Sequence, residues 1–74
     1  MNNTAAPLTT EDIAFLDTLT PLSAAGHILR HEGRFPIPSD VLMPLADEAQ
    51  AWFADGQTAS NAARIAIGIW FPSH

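Results

Sequence analysis

Thr58-Ala59-Ser60-Asn61-Ala62-Ala63-Arg64-Ile65-Ala66-Ile67-Gly68-Ile69-Trp70-Phe71-Pro72 can be read two ways, and the choice decides the fold. Ile65, Ile67 and Ile69 alternate as in a strand, while Ala62, Ile65, Ala66 and Ile69 recur at helical spacing. No other segment reads convincingly as a strand, so a lone β-segment here would have nothing to pair with. The stretch is therefore expected to be a helix from Ala59 to Trp70, capped by Thr58 and halted by Pro72. The fold class that follows is all-α, a compact bundle of three to four short helices.

Working back along the chain, Gly56 ends a third helix whose apolar stripe is Leu42, Leu45, Ala46, Ala49, Trp52 and Phe53. Ser39-Asp40 can cap its start. Pro44 either kinks a helix begun near Asp40 or opens the helix proper after one turn. Phe35-Pro36-Ile37-Pro38 is extended, because a residue before proline is pushed out of the α region. A second helix runs from Pro21, with Thr20 as cap, to His31 or Glu32, and stops at Gly33; its buried face should hold Leu22, Ala25, Ile28 and Leu29. Leu8-Thr9-Thr10-Glu11-Asp12-Ile13 reads as the start of a first helix over residues 10–18, with Thr9 and Asp12 as reciprocal caps. Residues 1–8 read as a frayed, flexible tail before one helical domain over 9–74. The expected core is Ile13, Leu16, Leu22, Ile28, Leu29, Leu45, Ala49, Trp52 and Ile65.

Charge speaks next. The 74 residues contain no lysine; Arg30, Arg34 and Arg64 face eight carboxylates, for a formal net charge of -5. Glu11, Asp12 and Asp17 cluster near the start, and Asp40, Asp47, Glu48 and Asp55 follow between residues 39 and 55, both without a cation. Between them His27, Arg30, His31 and Arg34 make a small positive patch around Glu32. Such a balance repels phosphate backbones and attracts basic surfaces, so direct nucleic-acid binding is not expected. A recognition helix built from the third segment would carry four carboxylates and no cation. Cysteine is absent, which leaves no disulfide or thiolate site. The start Met1-Asn2-Asn3-Thr4 lacks the cationic and apolar regions of a signal peptide, and Ile65 to His74 is far short of a membrane span. The expected location is the cytoplasm.

Reactive chemistry finds no foothold. Ser23, Ser39, Ser60 and Ser73 lack a nucleophile-elbow context, and the adjacent carboxylates Glu11-Asp12 and Asp47-Glu48 diverge on a helix. His27 and His31 share a helix face, but a zinc site needs a third or fourth protein ligand, and the other histidine is His74. Their expected role is a polar, partly exposed face. No catalytic residue, cofactor or metal is expected, and a monomeric binding protein is the economical reading.

The length, the alanine-rich and lysine-free composition and the helical plan, from Leu8-Thr9-Thr10-Glu11-Asp12 through Ile69-Trp70-Phe71, resemble the small host-takeover proteins of bacteriophages. Among these the chain is most similar to RNA-polymerase-binding transcription regulators of lytic Xanthomonas phages. The likeness is of the whole chain rather than of a motif. It implies action in the host cytoplasm on bacterial RNA polymerase, through the amino-terminal segment of β′ and the β flap. It also implies displacement of the σ factor and antitermination. The partner-binding candidates are Asp17, Asp47, Glu48 and Asp55 for charge, with Trp70 and Phe71 as either core or apolar anchor. A nucleic-acid mimic or anti-defence inhibitor of the anti-CRISPR or anti-restriction type, and an antitoxin, stand as alternatives.

Overall fold

The computed structural model describes residues 8–34 and 36–71; residues 1–7 of the expected tail over 1–8, Phe35, Pro72, Ser73 and His74 lie outside the described residues. Four helices follow in order: α1 Thr10–Leu16, α2 Pro21–His31, α3 Ser39–Ala54 and α4 Ala59–Trp70. The fold is all-α, with no strand among the described residues. None of these helices is long and apolar enough to cross a membrane.

Local chemistry sets the boundaries. At α1 the Thr9 amide donates to Asp12 Oδ2 at 3.0 Å and the Asp12 amide donates to Thr9 Oγ1 at 3.1 Å, a complete capping box. Thr20 and Thr58 accept from the amides of Ser23 and Asn61 and start α2 and α4 in the same way. Gly33 (φ 73°) closes α2 in a left-handed conformation, with Arg34 N–H on the Leu29 carbonyl and Gly33 N–H on that of Arg30. Gly56 (φ 104°) ends α3 with the same pair of bonds, from Gln57 to Trp52 and from Gly56 to Phe53.

Two boundaries differ from the sequence reading. α1 stops at Leu16 rather than near residue 18, because Asp17 leaves the helix and Thr18 Oγ1 turns back onto the Phe15 carbonyl. At α3, Ser39 and Asp40 lie inside the helix, and Pro38 occupies the cap position without a side-chain hydrogen bond. The Pro38 carbonyl instead accepts from both Val41 and Leu42, and α3 runs on through Pro44. Only the bond that a residue 44 amide would donate is lost.

The buried cluster joins Leu16 of α1, Ala24, Ala25, Ile28 and Leu29 of α2, Leu45 and Ala49 of α3, and an alanine-lined face of α4. Leu29 and Leu45 are the largest fully enclosed side chains. On α4 the inner face is Ala59, Ala62, Ala63, Ala66 and Ile67. That face packs against both α2 and α3, and methyl side chains let two helices approach it closely.

This packing corrects part of the expected core. Leu22 is 37% exposed, because the α2 interior centres on Pro21, Ala24, Ala25, Ile28 and Leu29 and leaves Leu22 on a flank. Leu42 and Phe53 are 38% and 42% exposed, and Ile69 is 48% exposed. Ile13, Trp52 and Ile65 are half-buried. On α4 the small residues hold the interior and displace the bulkier Ile65 and Ile69 outward; Leu16, Ile28, Leu29, Leu45 and Ala49 are buried as expected.

Candidate functional site

α3 divides into three strips. At 100° per residue, Val41, Leu45, Ala49 and Trp52 face the interior. Asp40, Asp47, Glu48 and Asp55 fall on one flank within an arc of about 100°, and Leu42, Met43, Ala46 and Phe53 fall on the other. Met43 is 65% exposed and stands at the outer edge of the apolar flank. One helix therefore shows solvent an acidic strip and an apolar strip side by side.

The acidic strip is not uniform. Glu48 is half-buried and its Oε2 accepts from the Trp52 indole N–H at 2.9 Å, so this carboxylate braces a half-buried aromatic. Asp40, Asp47 and Asp55 are exposed and make no ion pair or side-chain hydrogen bond among the described residues. Asp55 is also the C-cap residue of α3, where the helix carbonyls already concentrate negative charge. No cation occupies the last turn of that helix to offset it.

Asp17 stands elsewhere, at the junction of α1 and α4. Its Oδ1 accepts from the Ser60 backbone amide at 2.9 Å, which makes an α1 residue a second cap for α4. The hydrogen bonds from Ser60 hold the Asp17 carboxyl below the ordinary carboxylate range. Asp12 is lowered too, first by the Thr9 backbone amide and then by the Thr9 side chain, with His31 adding a weak attraction.

Trp70 and Phe71 separate. Phe71 is half-buried against the core cluster, with the Arg34 guanidinium 5.3 Å above its ring, and its carbonyl accepts from Arg34 Nη2. Arg34 Nη1 pairs at the same time with Glu32 Oε1 at 3.0 Å. Trp70 is 40% exposed on the last turn of α4. Of the six candidate residues, the structure thus gathers Asp47, Glu48 and Asp55 on one flank, puts Asp17 and Phe71 into the scaffold, and leaves Trp70 at the surface.

Sequence reasoning missed a cleft. α1 lies along α2 so that Leu8, Phe15 and Leu16 form one wall and His27, Arg30 and His31 the other, around an open volume of about 270 Å³. The Phe15 and His27 rings meet edge to face at 5.5 Å and 88°. The positive patch was visible in the sequence; that α1 would bring an apolar wall to it was not. Among the described residues no group of three or more histidine, aspartate or glutamate side chains is placed to hold a metal ion. Comparison with protein-family models, with curated proteins and with solved structures finds no match to this chain.

Proposed function

We propose that this protein is a non-enzymatic binding protein that sets the acidic flank of α3 on a basic segment of bacterial RNA polymerase. The observation that carries the reading is the set Asp40, Asp47 and Asp55: three exposed carboxylates on one strip, with no cation paired to them among the described residues. Uncompensated like charges destabilise a small fold slightly and raise association with an oppositely charged surface. The apolar flank beside them, with Phe53 and Met43, supplies the hydrophobic contact that charge alone lacks. Polymerase as the partner rests on the whole-chain likeness to phage regulators, which points to the β′ amino-terminal segment and the β flap, with σ displacement and antitermination as the outcome. Three carboxylates on one strip are a short array for imitating a phosphate backbone, which places the mimic reading second.

The test is a binding titration against core polymerase at two salt concentrations, using the parent and the double variant D47K/D55K. Glu48 is left intact because it braces Trp52. The expected result is parental binding that weakens with salt and falls about tenfold or more in the variant, at up to about 1 kcal/mol per rim charge. Absence of parental binding defeats the polymerase reading. Binding that ignores both salt and the charge reversal keeps the partner and removes the acidic flank from the interface.

A further inference from the structure

Phe15 is an aromatic residue that α1 leaves 53% exposed, with its ring edge to face against His27 of α2. Beside it Leu8 packs on the core and Leu16 is buried, so three apolar side chains line one wall of the α1–α2 cleft. Charged groups stand at the rim, but the fold already uses them. Asp12 accepts from the Thr9 amide and is attracted by His31. Arg30 and His31 each have a partner of their own. Asp12 and Arg30 also cancel in formal charge across the cleft. The polar group left over is the His27 imidazole, which makes no hydrogen bond or ion pair among the described residues and meets the Phe15 ring.

We infer that this cleft binds a small uncharged aromatic molecule bearing one hydroxyl group, with its ring against Leu8, Phe15 and Leu16 and its hydroxyl at the His27 imidazole. Three features select that chemistry. The wall is hydrophobic and partly aromatic, which favours a flat apolar body over a branched one. The balanced rim disfavours ions of either sign: a carboxylate meets Asp12, an ammonium meets Arg30, and each would give up hydration in an apolar cleft without a counter-charge to replace it. An imidazole offers a donor at one nitrogen and, when neutral, an acceptor at the other, and a hydroxyl group can answer either, so the pair bonds whichever nitrogen carries the proton. The volume of about 270 Å³ lies below the about 300–1,000 Å³ usual for drug-sized ligands, so the occupant is small. This inference is independent of the polymerase reading, since it uses other helices and none of the acidic flank.

The experiment is a titration of the full, nitrogen-15-labelled chain with 2-naphthol at pH 7, followed by amide chemical shifts. The ions 2-naphthoate and 2-naphthylmethylammonium, which carry the same ring, are titrated in parallel. Saturable shifts with naphthol should be confined to α1 and to the His27–His31 stretch of α2. Both ions should bind about fivefold more weakly or worse. F15A should lose about the same factor through the missing ring contact, with helicity kept because Phe15 is exposed. H27A should lose about threefold or more through the missing hydrogen bond, and D47K, on another helix, should lose nothing. Absence of a saturable shift, shifts spread over α3 and α4, either ion binding as well as naphthol, or undiminished binding by F15A or by H27A would overturn the site. So would shifts of the same residues that grow with protein concentration alone, which would make a second copy of the chain the occupant.

Discussion

α1 and α3 are both acidic helical regions without a cation of their own, yet their carboxylates do opposite jobs. In and beside α1, Asp12 closes a capping box and Asp17 caps the start of α4, so both are fastened to backbone amides. Along α3, Asp40, Asp47 and Asp55 are exposed with no charge paired to them among the described residues, whereas Glu48 is tied down by Trp52. Net charge therefore overstates the surface open to a partner. The acids that matter for binding are those that the fold does not use.

That contrast can be broken or sharpened by substitution, starting with the inner face of α3. Leu45→Ala should destabilise the domain by about 3–5 kcal/mol, since Leu45 is fully enclosed and a short domain has little stability to lose. Trp52→Ala should cost less, about 2 kcal/mol, because the ring is half-buried and its main polar tie is to Glu48. Denaturant unfolding of both variants would decide this; a Trp52 effect equal to that of Leu45 would return the ring to the core.

Asp17→Ala should cost about 1 kcal/mol, the usual scale of a lost cap. Its pH signature is more telling. The folded Asp12 and Asp17 carboxyls sit below the ordinary carboxylate range, so their stabilisation is complete above that range and disappears as pH falls through the lowered folded values. Thermal midpoints measured from pH 6 down to pH 2 should fall more steeply for the parent than for D17N. Parallel curves would mean that the bond to Ser60 does not hold in solution.

Smaller effects fall on the free flank. Asp47→Lys should shift stability by no more than about 0.5 kcal/mol. Asp55→Lys should raise it by about 0.3–1 kcal/mol, since a cation suits the carboxyl end of α3. A loss of stability in either would show that the strip is structural, as at α1. Zinc or chelator should leave the midpoint unchanged, because His27 and His31 have too few companion ligands among the described residues.

Three helix starts and two helix ends were legible because each depends on local chemistry: threonine at positions 9, 20 and 58, and glycine at 33 and 56, sit at the boundaries themselves, whereas α3 starts at Pro38 without a side-chain cap. The rotation of each helix was less so. Periodicity marks Ala62, Ile65, Ala66 and Ile69 as a face, but whether the larger or the smaller members turn inward depends on how closely two neighbouring helices approach. The same holds for the candidate interface. Spacing placed Asp47 and Asp55 outside the apolar stripe, whereas the bonds of Asp17 to Ser60 and of Arg34 to Phe71 join residues 43 and 37 positions apart. Nothing local announces such pairs. Trp70 and Phe71, adjacent in sequence, could not both turn inward, and the reach of Arg34 decides which one does.

Arg34 holds more than a ring. By joining the end of α2 to the carbonyl of Phe71, the residue that caps α4, it closes a loop of chain holding α3 and α4 through one side chain and one backbone oxygen. A helix frays most readily at its last turn, and here that turn is held by a residue whose own amide bonds the Leu29 carbonyl in the glycine cap of α2. Fraying of α4 is thereby coupled to the integrity of α2 rather than to its own last turn. With the grip gone, as in R34A, amide exchange in the final turn of α4 should quicken while the middle of α3 keeps its protection, and the loop would open without the bundle coming apart.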